Sequence, residues 1–392
     1  MLHTSDWHLG RSFHQVGLAA AHAAFVDFLV DLVAGERLDA VVVSGDVYDR
    51  ALPAPDTVAL LDEALTRLVD TGAQVVVSSG NHDSPARLGF GSRLLDRAGL
   101  HVRCAVGEVG RPILVEGVAV HAVPYLEPAV VAAELGVSER SHTAVLRAAL
   151  DRVRADLADR PAGVVLAHAF VAGGVASDSE RDISVGGVGV VPVEVFSGVT
   201  YAALGHLHRA QQVTPTVGYS GSPLALSFGE AGQVKSVAVV EVPTRGDRVP
   251  QVQTVPTPVP RRLAVLRGEL ADLLADRSLD WAEQAWCQVV LTDAVRPLGA
   301  LDTVRRRFPH TLKLDFEPGS AVLPLTGPNR YAARTSARSP VEVCCDFLTH
   351  VRGGAAACDE ERILLTEAIE ATRIARAATD DRAVGAAQAV VA

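Results

Sequence analysis

The chain has 392 residues, 48% of them hydrophobic, and a formal net charge of −10. That length suits two or three domains with buried cores, and the acidic balance excludes a global basic field for nucleic acid, though a local patch or bound cations can still hold phosphate. The scattered cysteines (Cys104, Cys287, Cys344, Cys345, Cys358) fit reduced thiols in a cytoplasm better than a disulfide framework, and with no basic-then-apolar leader and only broken apolar runs, neither a signal peptide nor a membrane span is expected.

The first element is a short apolar strand that runs into "LHTSDWHLG". A strand alternates faces with period two, so Asp6 and His8 can point the same way. Segment 18–34 reads as an amphipathic helix, with Phe25, Phe28, Leu29 and Leu32 on one face. A strand at 40–44 (AVVVS) runs into "SGDVYDR", which carries Asp46 and Asp49. A second helix follows, with Val58, Leu61, Leu65 and Leu68 on its apolar face. The strand at 74–78 (QVVVS) runs into "SSGNHDSP", with Asn81, His82 and Asp83. Strands at 163–167 and 200–204 lead to His168 and to "LGHLHR", with His206 and His208. Strands alternating with helices predict a layered α/β fold. Residues 1–242 form its main domain.

Prolines 243, 250, 256, 258 and 260 punctuate 243–261, which reads as a linker. Residues 262–335 read as a small α+β domain, with helices near 268–276 and 298–307 and strands near 286–291 and 311–316. In 339–374, Ser339, Pro340 and Glu342 have the pattern of a capping box, and a second helix is expected from about 359 to 374. The Ala-rich tail 375–392 is expected to fray.

Asp6, His8, Asp46, Asn81, His168, His206 and His208 all follow strand runs. Strand ends on one side of an α/β sheet form the crevice where sites assemble. Gly45, Gly80 and Gly205 fit sharp turns where backbone passes close to a ligand. Mixed carboxylate, amide and imidazole donors suffice for two cations sharing a carboxylate, and suit Mn²⁺ or Fe²⁺ better than a closed thiolate site. The remaining histidines, including His3, His14, His22, His101 and His121, have no role in this reading beyond surface and packing.

These motifs resemble those of the calcineurin-like metallophosphoesterase superfamily, and within it the SbcD-type nuclease subunits of double-strand-break repair. "HTSDWHLGR", "SGDVYDR", "SSGNHDSPARL", "AHAFVAGGVASDSER", "YAALGHLHRAQ" and "YSGSPLALSFGE" carry the resemblance, which covers about 1–240. The chain opens a residue or two later than such proteins usually do, without losing a motif residue.

The resemblance implies a layered β-sandwich flanked by helices, followed by a capping domain and C-terminal helices. It implies one metal on Asp6, His8, Asp46 and His208, and a second on Asp46, Asn81, His168 and His206. Mn²⁺ is expected at both, with Fe²⁺ or Mg²⁺ as alternatives. It places His82 beside the metals as the catalytic group; Asp83 reads either as its orienter or as a turn carboxylate. It implies 3′-to-5′ exonuclease action on duplex DNA and endonuclease action on single strands and hairpins, in repair and recombination at the nucleoid. It also implies a homodimer within a heterotetramer.

Arg11, Arg50, Arg87 and Arg209 flank the motifs and could meet DNA phosphates as forks. Lysine occurs only at 235 and 313, so arginine carries almost all the positive charge. The run Arg305, Arg306, Arg307 reads as a solvated helix face. No phosphate-cradling G-x-x-x-x-G-K-[ST] loop exists, so ATP-driven action needs a partner. The resemblance supplies an SbcC-type SMC-like ATPase, with the helices after Ser339 as its dock. Other readings of the same motifs are a small-molecule or phosphoprotein phosphoesterase, and a DNA-end tether without catalysis.

Overall fold

The computed structural model describes residues 1–177, 179–180, 189–244, 249–259, 261–318, 339–352 and 356–382, with side chains through residue 374 except His350. The expected stretch 319–335 of the small domain and the tail beyond 382 lie outside these residues.

Two six-stranded sheets stack face to face. In the first, Leu2–Thr4, Ala40–Ser44, Gln74–Ser78 and Leu100–Arg103 run parallel. In the second, Val118–Ala122, Gly163–His168, Tyr201–Gly205 and Val217–Tyr219 run parallel. The valine runs explain the layering. Val42 and Val76 point between the sheets and meet Val164, Leu166, Tyr201 and Ala203. Val41, Val43, Val75 and Val77 point outward beneath Phe25, Leu29, Leu61 and Leu68 of the helices Ala19–Glu36 and Pro55–Asp70. A strand covered on both faces must be apolar at every position, as these are. Val165, Ala167, Ala202 and Leu204 pack likewise under Val145, Leu146 and Leu150 of the helix His142–Leu157. One helix face is rotated from the expected stripe. Thr57 is buried and Val58 is 44% exposed, because Thr57 packs against Gly10.

Within the Pro-rich stretch the structure places a strand where a linker was expected. Gln251–Pro256 pairs antiparallel with Ser236–Glu241 along its full length and forms an edge of the first sheet. Pro250 and Pro256 bracket this strand, and proline's missing donor is tolerated at an edge or a strand end.

The small domain is a three-stranded parallel sheet, Leu263–Gly268, Trp286–Leu291 and Thr311–Phe316, packed on helices Leu270–Ala275 and Ala300–Arg307. It sits on the hairpin that follows the Asp6–His8 loop: Trp286 stacks on Phe13 at 5.6 Å, beside Leu18, Leu226 and Phe228. The capping box forms. Ser339 N donates to Glu342 Oε2 at 2.8 Å, and Glu342 N donates to Ser339 Oγ at 3.3 Å. Helix Asp359–Arg382 extends past the expected end at 374. It lies against helix Pro128–Leu135, with Glu370 3.8 Å from Arg140.

Candidate metal centre

All five motifs leave the same edge of the sandwich, at the carboxyl ends of the parallel strands. The turns there are tight. Asp6, His8, Asp46 and His206 adopt positive φ (53°, 46°, 50° and 104°), which costs a non-glycine residue roughly 1–3 kcal/mol each. A cross-linked set of hydrogen bonds holds them. Asp6 N donates to Gly45 O and His8 N to Asp46 O, both at 3.0 Å. His206 N donates to Asp6 Oδ1 at 3.0 Å, and His82 N to Asp46 Oδ1 at 2.8 Å. Two glycines permit the crowding. A Cβ on Gly80 would lie 2.1 Å from Asp46 Oδ1, and one on Gly205 would lie 1.9 Å from Ser44 O.

The side chains form two adjoining clusters. The ligand atoms of Asp6, His8 and His208 lie within 4.8 Å of one another, and so do those of Asp6, Asp46 and His168. His8 Nε2 is 3.2 Å from His208 Nε2 and 3.6 Å from Asp46 Oδ2. His168 Nε2 is 2.8 Å from Asn81 Oδ1 and 3.5 Å from Asp46 Oδ2. His206 Nδ1 is 3.3 Å from Asn81 Oδ1.

The proton positions test whether cations fit. His168 Nδ1–H donates to Ser44 O at 3.0 Å, which leaves a bare Nε2 lone pair facing the Asn81 and Asp46 oxygens. His208 Nδ1–H donates to Ser179 Oγ at 2.6 Å, which leaves its Nε2 lone pair facing His8. Burial disfavours a second proton on three of the rings: it drives His8 down to about 3, lowers His168, and drives His206 well below its usual value. At His168 a bare ring nitrogen therefore meets two oxygen acceptors, Asn81 Oδ1 and Asp46 Oδ2, an arrangement that a bound cation would stabilise. The carboxylates agree. Burial and the neighbouring Asp46 raise Asp6 well above the usual range, whereas burial of Asp46 is outweighed by His168, His82 and His8, which hold it low. A divalent cation held by Asp6 and Asp46 would offset the repulsion between the two acids.

His82 stands at the rim. Its Nδ1–H donates to Asp49 O at 2.8 Å, and its Nε2 lies 3.9 Å from Asp46 Oδ2. Its ring meets His8 edge-on at 4.7 Å. Asp83 does not orient it. That carboxylate accepts Val47 N (3.1 Å), Tyr48 N (2.9 Å) and Gly80 N (2.8 Å), and so ties two site turns together.

The arginines divide. Arg11 pairs with Asp49 at 3.1 Å, and Arg87 donates to Ala51 O at 3.0 Å. Arg50 also lies 3.7 Å from Asp49, but its side chain is 82% exposed, and Arg209 is exposed, so these two are open to a ligand. Arg305 and Arg307 donate to Thr311 O and Leu273 O and so brace the small domain, while Arg305 and Arg306 are exposed to solvent. Sequence reasoning assigned no role to Asp49, whose carboxylate lies 3.5 Å from His8 Nδ1, or to Ser179, Glu180, Glu230 and Lys235, which surround His208. Lys235, one of the chain's two lysines, was the visible anomaly.

Buried histidines set the acid limit of the fold. Burial lowers His3 to about 3 and His22 to about 4, so both stay neutral when folded while the unfolded chain protonates near 6.5. A depressed histidine stabilises above the unfolded value and loses that contribution as pH falls, about 2 kcal/mol each at pH 5. His8, His168 and His206 act in the same direction. Asp83, raised by burial and Asp46 to about 7, and Asp6, raised by the same causes, oppose them, since a raised carboxyl contributes more as pH falls from 7 toward 4. The five lowered histidines outweigh the two acids. With metals chelated, the chain should melt at a lower temperature at pH 5 than at pH 7.5; a higher melting temperature at pH 5 would refute this balance.

The sequence profile described as "Calcineurin-like phosphoesterase" matches residues 1–210. The SbcD subunit of the SbcCD nuclease from Escherichia coli strain K12 is 31% identical over 318 residues, covering 74% of this chain and 78% of that one. Its counterpart in Escherichia coli O157:H7 matches to the same extent. Among the described residues no helix is long and apolar enough to cross a membrane.

Proposed function

The chain belongs to the calcineurin-like phosphoesterase family, within it to the SbcD-type nucleases, and from that premise we propose that it is a Mn²⁺-dependent DNA nuclease subunit acting with an SbcC-type SMC-like ATPase. The observation that carries this is the convergence of carboxylate, amide and imidazole ligand atoms beside His82. One cation is assigned to Asp6, His8, Asp46 and His208, and the other to Asp46, Asn81, His168 and His206. Bound there, two divalent cations supply Lewis acidity and a nucleophile at neutral pH.

The chain's own residues do the rest. Asp46 faces both clusters, with His8 Nε2 at 3.6 Å and His168 Nε2 at 3.5 Å. His82, fixed through Nδ1, directs Nε2 toward the space above Asp46, where a proton on it can be given to a phosphate oxygen or to the leaving 3′-oxygen. Arg50 and Arg209 are the phosphate contacts in this reading; Arg11 and Arg87 serve as braces. The substrates are duplex ends, for 3′-to-5′ exonuclease action, and single strands and hairpins, for endonuclease action, in DNA end processing, repair and recombination. The setting is a cytoplasmic heterotetramer built on a homodimer.

The C-terminal helices are assigned to the ATPase. Phe347, Val351, Ile363 and Leu364 are 58–64% exposed there, an apolar face suited to a helix-in-groove or coiled-coil contact. The named motif residues all precede residue 210, so removing 339–392 spares the site. Full-length chain and a form ending at 338 should therefore cleave linear duplex DNA equally in Mn²⁺, while the full-length chain alone co-elutes with the ATPase. Co-elution of the shortened form would remove the docking assignment, and lack of Mn²⁺-dependent cleavage by either form would remove the nuclease assignment.

A further inference from the structure

The structure assigns Ser179, Glu230 and Lys235 as positioning residues that fix His208 for metal binding, an inference that rests on reading His208 as a ligand. His208 is held at three atoms. Its Nδ1–H reaches Ser179 Oγ at 2.6 Å, its backbone N donates to Glu180 Oε1 at 2.8 Å, and its carbonyl accepts from Lys235 Nζ at 2.7 Å.

The direction of the hydrogen bonds follows from the acceptors. The Ser179 hydroxyl donates to Glu230 Oε1 at 2.6 Å, so its oxygen is free to accept from the ring. The neighbouring Ser177 hydroxyl is spent on Glu180 Oε2 at 2.7 Å. Glu230 cannot donate, because it is paired with Lys235 and accepts Leu226 N at 3.3 Å as well. The relay thus places the ring proton on Nδ1 and aims the Nε2 lone pair at His8 Nε2, 3.2 Å away. A carboxylate behind a ligating histidine fixes its tautomer and raises its basicity. Here that carboxylate acts through a hydroxyl.

Stability alone does not explain the pair. Glu230 is 1% exposed and Lys235 3%, and a buried ion pair is often no more stable than an apolar replacement. The choice of cation also points to position. In a chain that uses arginine almost everywhere else, this site holds a compact ammonium whose donors diverge to His208 O, Ser222 Oγ (3.0 Å) and Glu230. A planar guanidinium fork does not match three diverging acceptors.

The test is calorimetric titration of the chelator-stripped full chain with Mn²⁺, alongside its melting temperature in chelator. Ser179→Ala breaks the relay without leaving a charge buried. It should weaken one of the two Mn²⁺ ions by about 10–100-fold, leave the other unchanged, and leave the metal-free melting temperature unchanged. Ser179→Thr, which keeps the hydroxyl, should restore the lost affinity. Glu230→Gln should weaken the same ion, and if that variant fails to fold, Ser179→Ala decides. Wild-type affinity at both ions in Ser179→Ala, no recovery in Ser179→Thr, or a fall in metal-free melting that matches the lost affinity would overturn the inference. A wild-type chain that binds no second ion would overturn the metal assignment itself, before any variant is read.

Discussion

Replacing His82 by alanine should leave two metal ions bound and the melting temperature unchanged, while DNA cleavage falls by at least about a hundredfold. A general acid–base group of this kind contributes roughly 10²–10⁴-fold, or about 3–5 kcal/mol. The structure sets His82 apart from the residues assigned as ligands. Its Nδ1 is committed to Asp49 O, and Asn81, the residue before it, already faces His168 and His206. His82 also lies close to His8 and Asp49 in a grouping that could itself hold an ion, so the competing assignment is concrete. Metal titration beside single-turnover cleavage distinguishes the two. Loss of one metal equivalent, or cleavage within a few-fold of wild type, would show His82 to be a ligand or a packing residue.

Asp46→Asn should have the larger effect. Asp46 Oδ1 accepts the His82 amide, while Oδ2 faces His8, His168 and His82 at 3.6, 3.5 and 3.9 Å. Asparagine keeps the size and the acceptor for the His82 amide. Its NH₂, however, donates toward lone pairs that face a cation in the wild type, and it removes the shared negative charge. Both ions should therefore be weakened together, with cleavage down on the order of 10⁴-fold or more, about 5 kcal/mol or more. Circular dichroism should show a retained fold. Two ions held at wild-type affinity, or cleavage within tenfold, would mean that Asp46 does not bridge.

The parts legible in the sequence are those whose physics is local. Each valine run between turn residues had to be a strand buried on both faces, and the residue after each run had to leave the sheet at the same edge. That reasoning brings Asp6, Asp46, Asn81, His168, His206 and His208 together, and the structure clusters them. What stayed hidden depends on pairing across the chain. Ser179 lies 29 positions from His208, and Lys235 lies 27 positions away on the other side, and no local pattern links them. Asp83 could be read as a turn carboxylate or as His82's orienter until its three amide donors were located. The strand Gln251–Pro256 was masked by its prolines, which an edge strand tolerates. Arginine exposure was equally hidden, since an acidic partner such as Asp49 for Arg11 is a matter of tertiary distance.

The central claim is that the converging acceptors cage two transition-metal ions. The most direct measurement is elemental analysis of the purified full chain after chelator stripping, reloading with Mn²⁺ and removal of free metal. The account predicts close to two Mn²⁺ per chain, bound in preference to Mg²⁺, which favours all-oxygen shells. A single tightly held zinc ion with no uptake of Mn²⁺ would contradict it.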